Sequence, residues 1–379
     1  MKSVICDMLD IEFPLVAFTH CRDVVVEVSK AGGFGVLGAV GHTPESLEIE
    51  LKWIDEHIDG KPYGVDLLIP ATSANKGRSM SADELKAQIP EGHIKHTEQI
   101  LTDEGVDTKG LWDGPQSTTF GDNLLESGAT RIMDVAFSHP IKMIVNALGV
   151  PPQSMLDRAK ENGVVTGALT GAREHAIKHA KAGVDVLIVS GTEAGGHCGE
   201  VSTLVLVPEV IDCLKGIGAD IPVLAAGGIV TGRQMAACMA MGAAGAWTGS
   251  VWLTTAEAET DQTIRDKYLA ASSRDTVRSR GRTGKYTRQL RSPWTDGWTK
   301  PGSPDPLPMP LQGMLSGPAL NRVDKLAATG DPGAKKLATY FVGQGVGLMN
   351  TTISARTVVF DFMKGFAEAA ENLGSFLED

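Results

Sequence analysis

Short apolar runs alternate along the chain with longer amphipathic stretches, and glycine marks many of the joints between them. Phe13–Phe18, Gly35–Ala39, Tyr63–Ile69, Lys142–Ala147, Val164–Leu169, Val184–Ser190, Pro222–Ala226 and Gly245–Thr248 read as strands. Arg22–Lys30, Glu45–Ile58, Pro152–Asn162, Ala172–Ala182, Val207–Lys215 and Gly232–Met241 read as helices between them. Strands separated by helices of this length imply right-handed βαβ crossovers and a parallel sheet. Eight such strands predict an α/β fold closed into a (β/α)8 TIM barrel rather than an open doubly wound sheet.

Two segments interrupt this rhythm. Residues 71–131 hold helical stretches near Ala82–Gln88 and Ile94–Thr102 and a Gly/Ser/Thr-rich run at Gly114–Gly128. An excursion of this size between two barrel strands predicts a covering insertion or lid. After Pro301–Pro310 the chain returns to helical patterning, with apolar spacing at Val358, Phe362, Phe366 and Ala370 within Ile353–Leu373. The expected organisation is a barrel over 1–70 and 132–295, an insertion over 71–131, and a helical extension over 296–379 packed on the barrel.

Composition narrows the function classes. Of 379 residues 44 are glycine and 5% are aromatic, and 46 acidic against 35 basic side chains give a net charge of −11. That sign argues against a nucleic-acid partner. The five cysteines are odd in number and form no CxxC pair, which argues against a disulfide framework or a structural zinc site and fits a reducing cytoplasm. Asp7, Asp10 and Glu12 interrupt the N-terminal apolar residues, unlike a signal peptide. The uncharged run Ala236–Leu253 is broken by Gly242 and Gly245 and reads as helix plus strand, so no membrane partner is expected.

Ligand and catalytic groups of a barrel come from the C-terminal ends of its strands. After Val184–Ser190 stands Gly191-Thr192-Glu193-Ala194-Gly195-Gly196-His197-Cys198-Gly199, whose four glycines allow the backbone to fold tightly against a flat or anionic ligand. After Pro222–Ala226 stand Gly227 and Gly228, then Thr231 and Gln234 at capping-box spacing opening a helix. Gly249 and Ser250 follow the last strand. Paired Gly-containing loops after strands seven and eight predict a phosphate site.

These strings resemble the nitronate monooxygenase family, formerly the 2-nitropropane dioxygenases, FMN enzymes related to the flavin-dependent enoyl-ACP reductases. The matching pieces are Ser29–Gly38, Gly191–Gly199, Ala225–Ile229, Gly249-Ser250, Thr283–Arg288 and Gly343–Leu348, in family order over nearly the whole chain. The resemblance implies FMN on the barrel mouth, its phosphate held by Gly227, Gly228, Gly249 and Ser250, with Gly191, Gly195 and Gly196 in the adjoining loop. It implies His197 on the substrate side as catalytic base or orienting group.

Three positions depart from the family pattern at flavin contacts: Asp66 stands for Asn, Ser190 for Gln, and Phe18-Thr19-His20 for Ala-Pro-Met. A charged Asp66 would disfavour an anionic reduced ring unless protonated or paired, and His20 is a candidate second imidazole. Two rival constellations stand outside the resemblance. His175 and His179 have metal-compatible spacing but no intervening glutamate, and Cys198 adjoins His197 as a candidate nucleophile. Arg274–Arg291 carries seven basic residues and one acid, a segment suited to a phosphate-bearing partner such as NAD(P)H. The expected activity is oxidation of alkyl nitronates or nitroalkanes with O2 to carbonyl compound and nitrite. The alternative is an NAD(P)H-dependent flavin reductase acting on a quinone or enoyl thioester. NAD(P)H and a homodimer are left open as partners.

Overall fold

A computed structural model describes residues 3–69, 82–113 and 126–376. Within it eight parallel strands close on themselves: β1 (Leu15–Thr19), β2 (Phe34–Gly38), β3 (Tyr63–Leu67), β4 (Met143–Asn146), β5 (Val165–Thr170), β6 (Val186–Ser190), β8 (Val223–Ala226) and β9 (Gly245–Thr248). The two-residue strand β7 (Gly196–His197) falls between β6 and β8 in the chain and stands outside the barrel. Closure is made by β9 returning to β1, with Leu15 opposite Ala246 and Val16 opposite Trp247. The expected barrel is the observed one, with strand limits moved by at most two residues.

Alternation along each strand separates the two faces of the barrel wall. On β3, Tyr63, Val65 and Leu67 pack outward beneath the surrounding helices, so Gly64 and Asp66 turn inward. Val16, Val36, Val145, Ile188, Leu224 and Trp247 fill the interior. The N-terminal helix Val4–Leu9 plugs the bottom of this interior with Ile5 and Leu9, both wholly buried. Ser3 caps that helix, accepting from the Ile5 N–H.

Packing divides the chain differently from the sequence segments. The last helix, Ala355–Ser375, buries Val358, Val359 and Phe362 against Gly232–Ala240 and Arg22–Lys30, so it completes the ring of helices around the barrel. Ala370, expected on its apolar face, is exposed because the helix has by then run past its neighbours. Helix Glu126–Ser138 also belongs to the ring, lying against Pro44–His57.

A second core lies beside the barrel and is assembled from two distant segments. Ile100, Leu101, Val106 and Leu111 of the insertion pack with Tyr268, Trp294, Trp298, Leu315 and Val323 from the chain after β9. Arg322 ties the two together, donating to the Asp107 and Lys109 carbonyls at 2.9 and 2.8 Å. The Gly/Ser/Thr-rich run of the expected lid falls largely outside the described residues. No helix among the described residues is long and apolar enough to cross a membrane.

Candidate active site

His197 reaches the barrel mouth on a flap rather than on a barrel strand. Its short strand β7 pairs antiparallel with β11 (Thr287–Leu290), and β11 pairs with β10 (Thr276–Ser279). The pairing sets His197 opposite Thr287 and Gly196 opposite Arg288. The Nε2 of His197 lies 3.0 Å from Thr283 Oγ1. That hydroxyl accepts from the Lys285 N–H at 3.3 Å, and the Lys285 carbonyl at 3.2 Å and Nε2 are the two acceptors within reach of its one hydrogen. Through this contact Thr283 orients the ring, and Nδ1 has no protein partner among the described residues. Surrounding protein and then the Lys285 ammonium hold the His197 pKa below the ordinary imidazole value. At neutral pH the ring is a free base.

The glycines of the His197 loop serve different ends. A Cβ on Gly191 would stand 2.2 Å from Thr203 Oγ1, and one on Gly195 would stand 2.8 Å from the Gly343 nitrogen. Both are glycine because other parts of the chain press against them. Gly196, at φ +74°, has nothing within 4 Å of its missing Cβ; of these three, it alone opens toward free space.

Glu193, in the middle of the loop, holds the arrangement together. Its Oε2 accepts from the Thr203 N–H and the Thr203 hydroxyl, both at 2.9 Å. Its carboxylate thus sits at the start of helix Thr203–Gly216, whose Ser202 makes no side-chain cap. Its carbonyl accepts from Gln344 at 2.9 Å, while Gly343 donates to Ser250 Oγ at 2.8 Å. The segment after Val342 is in this way stitched both to the His197 loop and to the end of β9. Sequence reasoning missed the Thr203 and Thr283 contacts, and no signal in the sequence marks either pairing.

Gly227 and Gly228 both take positive φ, 103° and 71°, and with Gly249 their N–H groups have no protein acceptor among the described residues. Gln234 shapes this loop, accepting from Val230 N–H at 2.9 Å and donating to the Gly228 carbonyl at 2.8 Å. Half of the expected capping box forms, Thr231 Oγ1 accepting the Gln234 N–H at 3.4 Å, while the Gln234 side chain braces Gly228 and Val230 instead of reaching the Thr231 N–H. The first turn of the following helix is covered, since a Cβ on Gly232 would lie 1.9 Å from the Phe362 carbonyl. Any anion here meets the loop N–H groups, not the helix terminus.

The floor of the mouth is aromatic. Phe18, at the top of β1, stacks on Trp247 with centroids 6.0 Å apart and meets His20 edge-on at 5.2 Å. His20 donates Nδ1–H to the Gly38 carbonyl at 2.8 Å, and its ring is otherwise exposed. Asp66 is opposite Gly38 of β2 and Val145 of β4. It is wholly buried, its Oδ1 has no hydrogen-bond partner, and burial raises its pKa well above the usual carboxylate range. Ser190 ends β6, half-buried, without a side-chain partner among the described residues.

The rival constellations fare poorly. Burial pushes the Cys198 thiol up, opposed only in part by Arg278 and Arg288, so it stays protonated and a weak nucleophile. His179 is buried and its pKa falls to about 4, and the one candidate metal cluster among the described residues is Cys21, Asp23 and Glu259 instead. Within the basic segment, Arg280 binds Asp305, Arg282 lies between Tyr340 and Phe341, and Arg288 donates to the Thr192 carbonyl. Lys285 and Arg278, the latter over the Tyr286 ring, are left nearest to His197 and Cys198.

The nitronate monooxygenase family model matches residues 2–365. A Mycobacterium tuberculosis protein provisionally named a monooxygenase, Rv1533, is 49% identical over 383 residues, covering 100% of both chains. A Staphylococcus aureus protein provisionally named a nitronate monooxygenase is 26% identical, covering 94% of this chain and 95% of its own. Among solved structures, a nitroalkane oxidase from Streptomyces ansochromogenes superposes with a TM-score of 0.76 at 24% identity, over 98% of this chain and 100% of that one. Barrel, glycine loops and flap histidine together with a family match over nearly the whole chain place this protein in the nitronate monooxygenase family of flavin-dependent oxidoreductases.

Proposed function

We propose that the protein oxidises alkyl nitronates and their parent nitroalkanes with O2, giving a carbonyl compound and nitrite, with FMN as cofactor. The observation that carries this reading is the neutral His197, presented at the mouth with Nε2 tied to Thr283 and Nδ1 free. A neutral imidazole removes a proton from the carbon beside a nitro group, which is acidic because the nitro oxygens accept the charge. Lys285, close enough to lower the His197 pKa, offers positive charge to the resulting anion.

The residues present fit FMN. The unbonded N–H groups of Gly227, Gly228 and Gly249 suit a phosphate. Phe18 and Trp247 offer a flat apolar floor, and the orphaned Asp66 oxygen is a polar group awaiting a partner. Bound there, FMN supplies the electron transfer. Ser250 contributes by holding the Gly343 N–H, and Ser190 and His20 border the same mouth.

The test is anaerobic mixing of the flavin-loaded protein with propyl nitronate and, separately, with NADH and NADPH. Bleaching by the nitronate is the expected result. Bleaching by a reduced nicotinamide but not by nitronate would establish the reductase alternative instead.

A further inference from the structure

Asp66 is the one carboxylate in the described structure that is wholly buried and has an oxygen without any hydrogen-bond partner. Its backbone carbonyl is used, accepting from Ala39 N–H at 2.9 Å, but its side chain is not. It turns inward from β3, one residue below the end of the strand, with Gly38 opposite on one side and Val145 on the other. Neither neighbour carries a charge. Gly38 leaves no room for a side chain that could pair with Asp66, because a Cβ there would stand 2.7 Å from the His20 ring and 2.8 Å from Phe18. The nearest titratable group placed by these contacts, His20, turns its Nδ1–H to the Gly38 carbonyl. No cation contributes to the state of Asp66.

A buried polar group without a partner costs free energy unless a ligand satisfies it. Buried without a cation, a carboxyl keeps its proton and becomes a donor instead of a negative charge. The group lies in the wall of the same mouth that Phe18 floors.

Resting on the FMN reading above, we propose that Asp66 is a positioning residue that stays a neutral carboxylic acid and donates a hydrogen bond to an acceptor atom of the flavin ring. A donor there stabilises the added electron density of the reduced ring and so raises its reduction potential, whereas a carboxylate would lower it.

Potentiometric titration of the FMN-loaded parent, Asp66→Asn and Asp66→Ala separates these cases by sign. A neutral donor predicts a lower midpoint for Asp66→Ala and one close to the parent for Asp66→Asn, which keeps an uncharged donor. Midpoints raised in both variants would show an ionised Asp66 and overturn the proposal. Midpoints unchanged in both would show that the side chain does not reach the ring, and would overturn it equally. Infrared spectroscopy of the parent without added flavin gives a second readout: the carbonyl band of a protonated carboxyl, lost in Asp66→Asn. Its absence from the parent overturns the proposal even where Asp66→Ala does not fold. A parent that takes up no FMN would sink the cofactor reading and this inference together, while a loaded protein with unshifted potentials sinks this inference alone.

Discussion

The Nε2 of His197 and the hydroxyl of Thr283 lie 3.0 Å apart across the flap, although 86 positions separate them in the chain. The contact fixes the orientation of the imidazole. Thr283→Val keeps the shape and removes the hydroxyl that holds the ring. Its expected result is a roughly tenfold fall in kcat with FMN content unchanged. Steady-state rates with nitroethane, where a proton must be removed, should fall more than rates with preformed ethyl nitronate. Equal losses on both substrates would argue that Thr283 only supports the flap.

His197→Asn removes the base and keeps a polar side chain of similar reach. Turnover of nitroethane should drop by about 10² to 10⁴ while the protein stays yellow. The pH profile offers a finer check. The base works when neutral, so kcat/KM rises with pH through the His197 pKa, which lies below the ordinary imidazole value. Lys285→Met removes a cation that lowers that pKa, so the rising limb should move to higher pH. A limb that moves down or stays in place would assign it to another group.

Glu193 acts on the site through the backbone. Glu193→Ala strips the cap from helix Thr203–Gly216 and leaves the Thr203 N–H unpaired, at a cost of about 1 kcal/mol. The same loop carries His197, so FMN retention should weaken along with thermal stability. Glu193→Gln, which still offers an oxygen to Thr203, should fall between parent and Ala in both fluorescence-monitored FMN binding and Tm.

Glycine content is visible in the sequence, but the reason for each glycine is not. Gly191→Ala forces a Cβ onto Thr203 and should abolish the folded, flavin-binding state. Gly196→Ala meets no atom and carries only the strain of positive φ, about 1 kcal/mol. It should fold, and any loss of FMN or substrate affinity would then report the ligand itself, as titration with FMN can show.

The barrel was legible because its strands and helices follow strict periods, and because eight parallel strands have few ways to close. The positions of Gly227, Gly228 and Gly249 followed from that frame, since strand ends define the mouth. Long-range partners were not legible. Thr283 and Gly343 open two of the matching strings and Thr203 stands outside them, but only folding brings the three to His197, Ser250 and Glu193 respectively. The place of the last helix was equally hidden. Its apolar stripe shows that it packs, but not that Gly232 and Gly365 let it approach closely enough to complete the ring.

Asp66 and His179 give the fold opposite responses to pH, and single variants can separate them. The Asp66 pKa is raised on folding, so the folded state holds a proton that the unfolded chain releases above about pH 4. Its contribution is best at low pH and is lost as pH rises. The His179 pKa is lowered to about 4, so the unfolded chain takes up a proton below about pH 6.5 that the folded state refuses. Its contribution is lost as pH falls through that window, by at most about 3 kcal/mol. Denaturant titrations of the flavin-free protein between about pH 4 and about pH 7 should therefore diverge. Asp66→Asn should gain stability over the parent progressively as pH rises. His179→Leu should gain over the parent as pH falls, because no proton is then left to drive unfolding. A constant offset between either variant and the parent across this range would show that the group does not change its protonation on folding.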